Sequence, residues 1–418
     1  MDNEPLYAWW RLLSSLLLMT MGSAGMYSVT VILPHLQADF EITRSAASLP
    51  YTLTMIGFGL GGVLMGRLAD RVGIIIPLAI GSLGCGAGFI LAGLSSGYLQ
   101  FILAQSVLIG TLGAAATFAP LVADTTRWFT RRRGFALAIC MSGNYFSGAL
   151  WPPVMQRLIE QSGWRTMYIY MGILCLLVCL PLLWMYRRPA PTHNTTPGAV
   201  PQSPRKTRFR DEIARSNPEN PLGMRPATLQ ALLCLAGVAC CVAMAMPQVH
   251  IVAYCGDLGF GLARGAEMLS VMLAMGIISR LLSGWVSDHI GGLRTLLLGS
   301  ALQSIALLMF LNASGLVSLY VVAALFGLFQ GGIVPAYALI IREYFGPHEA
   351  GGRIGIVLMA TLLGMALGGW LAGILYDLSG SYYAAFLNGI GWNLLNICIV
   401  LFLLMRARGW GRLQLKIG

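Results

Sequence analysis

Twelve apolar runs, each about 20 residues long, decide what this chain can become. They fall near 12–33, 48–66, 74–94, 98–126, 134–157, 166–186, 227–256, 266–287, 294–311, 316–341, 354–376 and 382–405. A run of that length crosses the hydrocarbon core of a bilayer as a helix, which satisfies its backbone N–H and C=O groups within its own segment. Composition agrees: 57% of the 418 residues are hydrophobic and 10% are charged, against about 25% charged in soluble domains. The expected fold class is an all-α membrane protein of twelve transmembrane helices. The opening "MDNEPLYAWWR" has no basic stretch ahead of its apolar run and no small-residue cleavage site follows. The first run is therefore expected to remain as a span.

The runs divide into two sets of six. Between them lies "RRPAPTHNTTPGAVPQSPRKTRFRDEIARSNPENPLGMRP" (187–226), rich in Pro, Arg and polar residues. It reads as a solvated connector, with a short helix around "RFRDEIAR" that could rest on headgroups. The expected organisation is an N-terminal half (1–187), a linker (188–226) and a C-terminal half (227–418). The halves repeat each other. "GRLADRVG" (66–73) matches "GWVSDHIG" (284–291) in Gly66/Gly284, Asp70/Asp288 and Gly73/Gly291, an offset of 218 residues. "EQSGWRTMYIYMG" (160–172) matches "DLSGSYYAAFLNG" (377–389) at an offset of 217. Two parallel six-helix halves suit a transporter with its substrate site between them near mid-membrane.

Charge sets the orientation. With both termini and the linker on one side, that side receives 22 of the 27 Lys and Arg, and the other receives Arg44, Arg157, Arg165 and Arg264. Such asymmetry puts both termini in the cytoplasm. It also accounts for the net charge of +11 without a nucleic-acid partner. Short termini suggest a bacterial cytoplasmic (inner) membrane. Eight of the nine cysteines lie in apolar runs and behave as small hydrophobes, and no zinc-type Cys/His spacing appears. No metal or other cofactor is expected.

Several motifs resemble one family. G-x-x-x-D-R-x-G after the second run is similar to the signature of the major facilitator superfamily, although "GIIIP" follows where basic residues are usual. "FAPLVADTTRWFTRRRGFALAICMSGNYFSGALWPPVMQRLIEQSGWR" (118–165), "YFGPHEAGGRIG" (344–355) and "GGWLAGILYDLSGSYYAAF" (368–386) resemble its monocarboxylate transporter and oxalate/formate antiporter branch. The resemblance implies the major facilitator fold and transport by alternating access. Asp70, Arg71 and Asp288 would then form a conformational latch at the cytoplasmic helix ends.

Arg280 is the one cation left inside a run. A guanidinium there costs about 2.5–3.5 kcal/mol on insertion scales. On a helical wheel it shares a face with Gly276, Ser283, Gly284 and Ser287, while Val271, Met275, Ile278, Leu282 and Trp285 face the other way. No Asp or Glu lies well inside any run: Asp124 sits at the end of the fourth and Glu267 at the start of the eighth. A buried cation without a counter-ion is costly, and a carboxylate substrate would neutralise it through a bidentate pair. The resemblance gives an arginine at this place the same role. The equivalent position in the first half is Gly62, as expected if the charge serves substrate and not scaffold.

The eleventh run carries no basic residue where the resembled oxalate exchangers have one. One cation suits one carboxylate, so a monocarboxylate is favoured. His250, with Tyr254 four residues on, is the candidate proton carrier. His250, Tyr254, Tyr27, Asn144 and Gln330 are the further candidate substrate contacts beside Arg280. The expectation is a secondary active transporter, a monomer in lipid, moving a small carboxylate with a proton as co-substrate. Anion exchange and a non-transporting anion sensor remain as alternatives. No nucleophile–base pair or phosphate loop is visible, so an enzyme is not expected.

Overall fold

Four glycines mark where the chain reverses, and they come in pairs related by the repeat. Gly73 and Gly291 both have φ of 83°, and Gly163 and Gly380 have φ of 81° and 66°. A side chain is strained in that region, so glycine is the residue that permits these turns. The pairing of conformations, and not of residue types alone, shows the two halves as copies of one design.

The computed structural model describes residues 5–129, 132–188, 221–345 and 347–417. Among these, eleven helices are long and apolar enough to cross a membrane. The 53-residue helical stretch Gly134–Tyr186 contains the break at Gly163 and supplies two crossings. The crossings are α1 (Leu6–Phe40), α2 (Arg44–Val72), α3 (Ile75–Gly93), α4 (Tyr98–Trp128), α5 (134–162) and α6 (164–186). The second half has α7 (Pro226–Asp257), α8 (Leu262–Ile290), α9 (Gly292–Asn312), α10 (Leu316–Tyr344), α11 (Glu349–Ser379) and α12 (Tyr383–Ala407). The expected linker falls mostly outside the described residues, and the short helix around "RFRDEIAR" lies wholly outside them.

The first helix begins earlier than the apolar run indicates, at Leu6, and Arg11 within it is neutralised inside the bundle. Its guanidinium grips Asp124 through two bonds of 2.7 and 2.9 Å. The Trp128 and Tyr186 rings lie 4.7 and 4.5 Å from it. A paired, stacked arginine does not end a helix. These contacts tie the start of α1 to the ends of α4 and α6 and define one end of the molecule, the linker side.

The halves meet through α2 against α11 and α5 against α8. Small residues allow the approach: a Cβ added at Gly369 would lie 3.0 Å from Tyr51, and one at Gly373 would lie 2.8 Å from the Ser45 backbone. Toward the linker side the contact stops. A Cβ at Gly62, Gly66, Gly351, Gly352 or Gly355 would meet nothing within 4 Å, and the same holds for Gly134 on α5 and Gly284 on α8. The halves are sealed at the far side and splayed at the linker side.

Candidate functional site

Where the splay begins, a cavity of about 180 Å³ opens between the halves. It is walled by α1, α2, α4 and α5 on one side and α7, α8, α10 and α11 on the other. Arg280 lines it. The α8 helix turns Ile278, Leu282 and Trp285 outward, 44%, 52% and 63% exposed, so the lipid face and the Arg280 face separate as the wheel indicates. Gly276 removes bulk beside the arginine: a Cβ there would lie 2.4 Å from the Tyr145 ring. Tyr145 fills that space and places its ring 4.4 Å from the Arg280 guanidinium.

Arginine has five N–H donors. One of them, on Nη1, reaches the Met141 carbonyl at 3.3 Å. Nε is buried with no acceptor. Among the described residues no Asp or Glu forms an ion pair with Arg280. A ring quadrupole and one long carbonyl contact are a weak substitute for a counter-ion. The cavity thus presents a guanidinium whose charge is balanced by no acidic side chain among the described residues.

Two further expected contacts share this cavity. Tyr27 donates from its hydroxyl to Asn144 Oδ1 at 2.7 Å, bridging α1 and α5. His250, Tyr254 and Gln330 lie outside the cavity wall. Gln330 is fully buried in α10 with neither amide atom partnered. It is flanked by Gly327 and Gly331, where α10 presses against the α8 backbone. Tyr254 packs edge-on against Tyr382 and Phe386, each 5.5 Å between centroids.

His250 belongs to the far-side seal. Its Nε2 contacts the Gly369 carbonyl at 2.8 Å and its Nδ1 contacts the Tyr382 hydroxyl at 2.9 Å. A carbonyl only accepts, so Nε2 carries the proton and Nδ1 accepts from Tyr382. Burial holds the Tyr382 phenol above its ordinary pKa, so it stays protonated and able to donate. The same hydroxyl accepts from Arg44 Nη1 at 2.8 Å. Arg44 also holds both oxygens of Asp257, at 3.1 and 3.2 Å, with Tyr376 4.2 Å from its guanidinium. The Asp377 carboxylate accepts the backbone N–H groups of Arg44 and Ser45 at 2.9 and 2.8 Å. This network joins α2 of one half to α7, α11 and the start of α12 of the other.

At the linker side, Asp70 contacts Arg127 across α2 and α4 at 3.4 Å, with both side chains well exposed. Arg71 and Asp288 are exposed. Sequence reasoning missed Tyr145, Tyr51, Gln248 and Thr361, which also line the cavity. Gly276 was the available signal for Tyr145, since a glycine facing inward beside a charge needs something to fill its space.

A cavity at the junction of two pseudo-symmetric helical halves is the arrangement expected of a membrane transporter. The Major Facilitator Superfamily profile matches residues 13–317 and 268–416, and the chain belongs to that superfamily. It is similar to monocarboxylate transporter 13 of Rattus norvegicus, 27% identical over 350 residues covering 81% of this chain and 74% of that one. Monocarboxylate transporter 12 of Rattus norvegicus is 26% identical over 372 residues, covering 84% and 74%. A crystal structure of a bacterial homologue of the human lysosomal transporter Spinster, inward-facing and occupied, shares the fold. Its TM-score is 0.70 at 15% identity, covering 97% of this chain and 98% of that one. The protein is thus a multi-pass facilitator related to monocarboxylate transporters, and not an enzyme.

Proposed function

We propose that this protein carries a small monocarboxylate across the membrane by alternating access, with Arg280 as the carboxylate-binding residue. The observation that carries the reading is a cavity-lining guanidinium with no acidic partner among the described residues. A bound carboxylate supplies the missing charge, and the halves can then close over a neutral pair. Closing over an unpaired cation would be costly. Asn144 and Tyr27 border the same space and orient the cargo. The relatives' names favour a carboxylate as well.

Residues 1–187 and 227–418 act in this reading as two rocking bodies joined by 188–226, with Asp70, Arg71 and Asp288 latching the linker side when it closes. Both termini face the cytoplasm, as the basic asymmetry supports; the preferred setting is a bacterial inner membrane. Proton symport through His250 is the preferred coupling, with Arg44, Asp257, Asp377 and Tyr382 as the charged and titratable groups around it. Once protonated, both ring nitrogens donate, and Nδ1 no longer accepts from Tyr382. Protonation would thereby loosen the far-side seal. Anion exchange is the second reading.

Reconstituted protein should accumulate labelled carboxylate by counterflow, and Arg280→Ala should not. An inward proton gradient should speed net uptake, and His250→Phe should remove that stimulation while leaving counterflow. Uptake indifferent to the gradient in the wild type would eliminate symport and leave exchange.

A further inference from the structure

The wall of the cavity around Arg280 is mostly apolar. Ten of its nineteen lining residues are aromatic or Met, whereas such residues make up about one in seven of the whole chain. Four are non-aromatic polar residues: Asn144, Gln248, Arg280 and Thr361. Three of these four already have protein partners, Arg280 through the Met141 carbonyl. Asn144 accepts from Tyr27, and Thr361 donates to its own helix at the Leu358 carbonyl at 2.7 Å. A hydroxy or keto acid of three carbons would find only the Gln248 amide and the Tyr51 and Tyr145 hydroxyls besides Arg280, with apolar surface over most of the wall, and polar atoms set against that surface cost binding.

The wall suits a flat apolar body instead. Phe58 and Phe118 pack edge-to-face at 5.4 Å and both border the space. Met55, Met244 and Met365 border it too, and thioethers make favourable contacts with ring edges while adapting to shape. Size agrees. An apolar cavity of about 150 Å³ holds one benzene, and this one measures about 180 Å³. That leaves room for a ring and one carboxylate, with no second cation in the wall for a second acid.

We infer that the preferred cargo is an aryl or arylalkyl monocarboxylate, its ring held in the Met- and Phe-lined part of the cavity and its carboxylate on Arg280. This rests on the carboxylate reading above and narrows it. The test is thermal stabilisation of the full-length purified protein by benzoate, phenylacetate, acetate, lactate and the uncharged benzamide. The wild type should respond to benzoate or phenylacetate at tenfold or more lower concentration than to lactate or acetate, and benzamide should give no shift. Arg280→Ala should lose the aryl-acid response. Phe118→Ala should lower the ratio of benzoate to acetate affinity. Equal responses to lactate and benzoate, both lost in Arg280→Ala, would overturn the aryl preference and leave the carboxylate reading standing. A benzoate shift that survives in Arg280→Ala, or is matched by benzamide, would overturn the carboxylate reading itself.

Discussion

Arg44 and Arg280 sit at opposite ends of the contact between the halves, and the protein treats them differently. Both leave Nε without an acceptor, so the difference lies in the fork of each guanidinium. That of Arg44 holds Asp257 bidentately and Tyr382 besides. That of Arg280 has one carbonyl at 3.3 Å and a ring beneath it. An arginine whose fork is filled by protein closes a structure; one whose fork is nearly empty in a cavity is available to something that arrives. The first is a bolt made wholly of protein. The second, in the function proposed above, is half of a pair.

The sharpest way to break this contrast is to remove Arg280. Truncating one partner of a buried charge pair costs about 2–5 kcal/mol, so carboxylate affinity in Arg280→Ala should fall on the order of a hundredfold or more, read by counterflow or equilibrium binding. Removing Arg44 should act on conformation instead. Asp257 is about one-third exposed, so the loss is discounted to about 1–3 kcal/mol. A cysteine placed at Ser48, now fully buried beneath the seal, should be labelled from the far side on the order of tenfold faster in Arg44→Ala. Carboxylate binding should survive. If instead Arg44→Ala abolished binding with labelling unchanged, the two roles would have been assigned to the wrong residues. A smaller effect is expected from Gly276→Ala, whose new methyl displaces Tyr145 from Arg280. Overpacking of this kind costs about 1–3 kcal/mol, and a several-fold weaker carboxylate response with the fold retained would place Tyr145 as a positioning residue.

How much of this was legible beforehand follows from the range of each signal. Hydropathy is local, and it located the crossings; helical periodicity is nearly as local, and it turned Arg280 inward and Trp285 outward. Both fail where the answer depends on a distant neighbour. Gly284 shares the face of Arg280 yet meets nothing within 4 Å, because the halves have parted by that depth. Arg11 looks like the end of a span until Asp124, far along the chain, is placed against it. His250 and Tyr254 share a helix face as expected, but the partners that assign His250 to a seal are Gly369 and Tyr382, over a hundred residues away. Tyr27 and Asn144 were identified as polar residues inside apolar runs, and the fold brings them to one cavity.

The central claim is that Arg280 is an uncompensated charge kept for a carboxylate, and thermal unfolding of Arg280→Ala beside the wild type tests it most directly. Without ligand, the variant should melt at the same temperature as the wild type or higher, since an unpaired cation has left the interior. Added benzoate should raise the wild-type midpoint by mass action and leave the variant's unmoved. A variant that melts well below the wild type yet is still stabilised by the acid would show Arg280 to be scaffold, and would contradict the account.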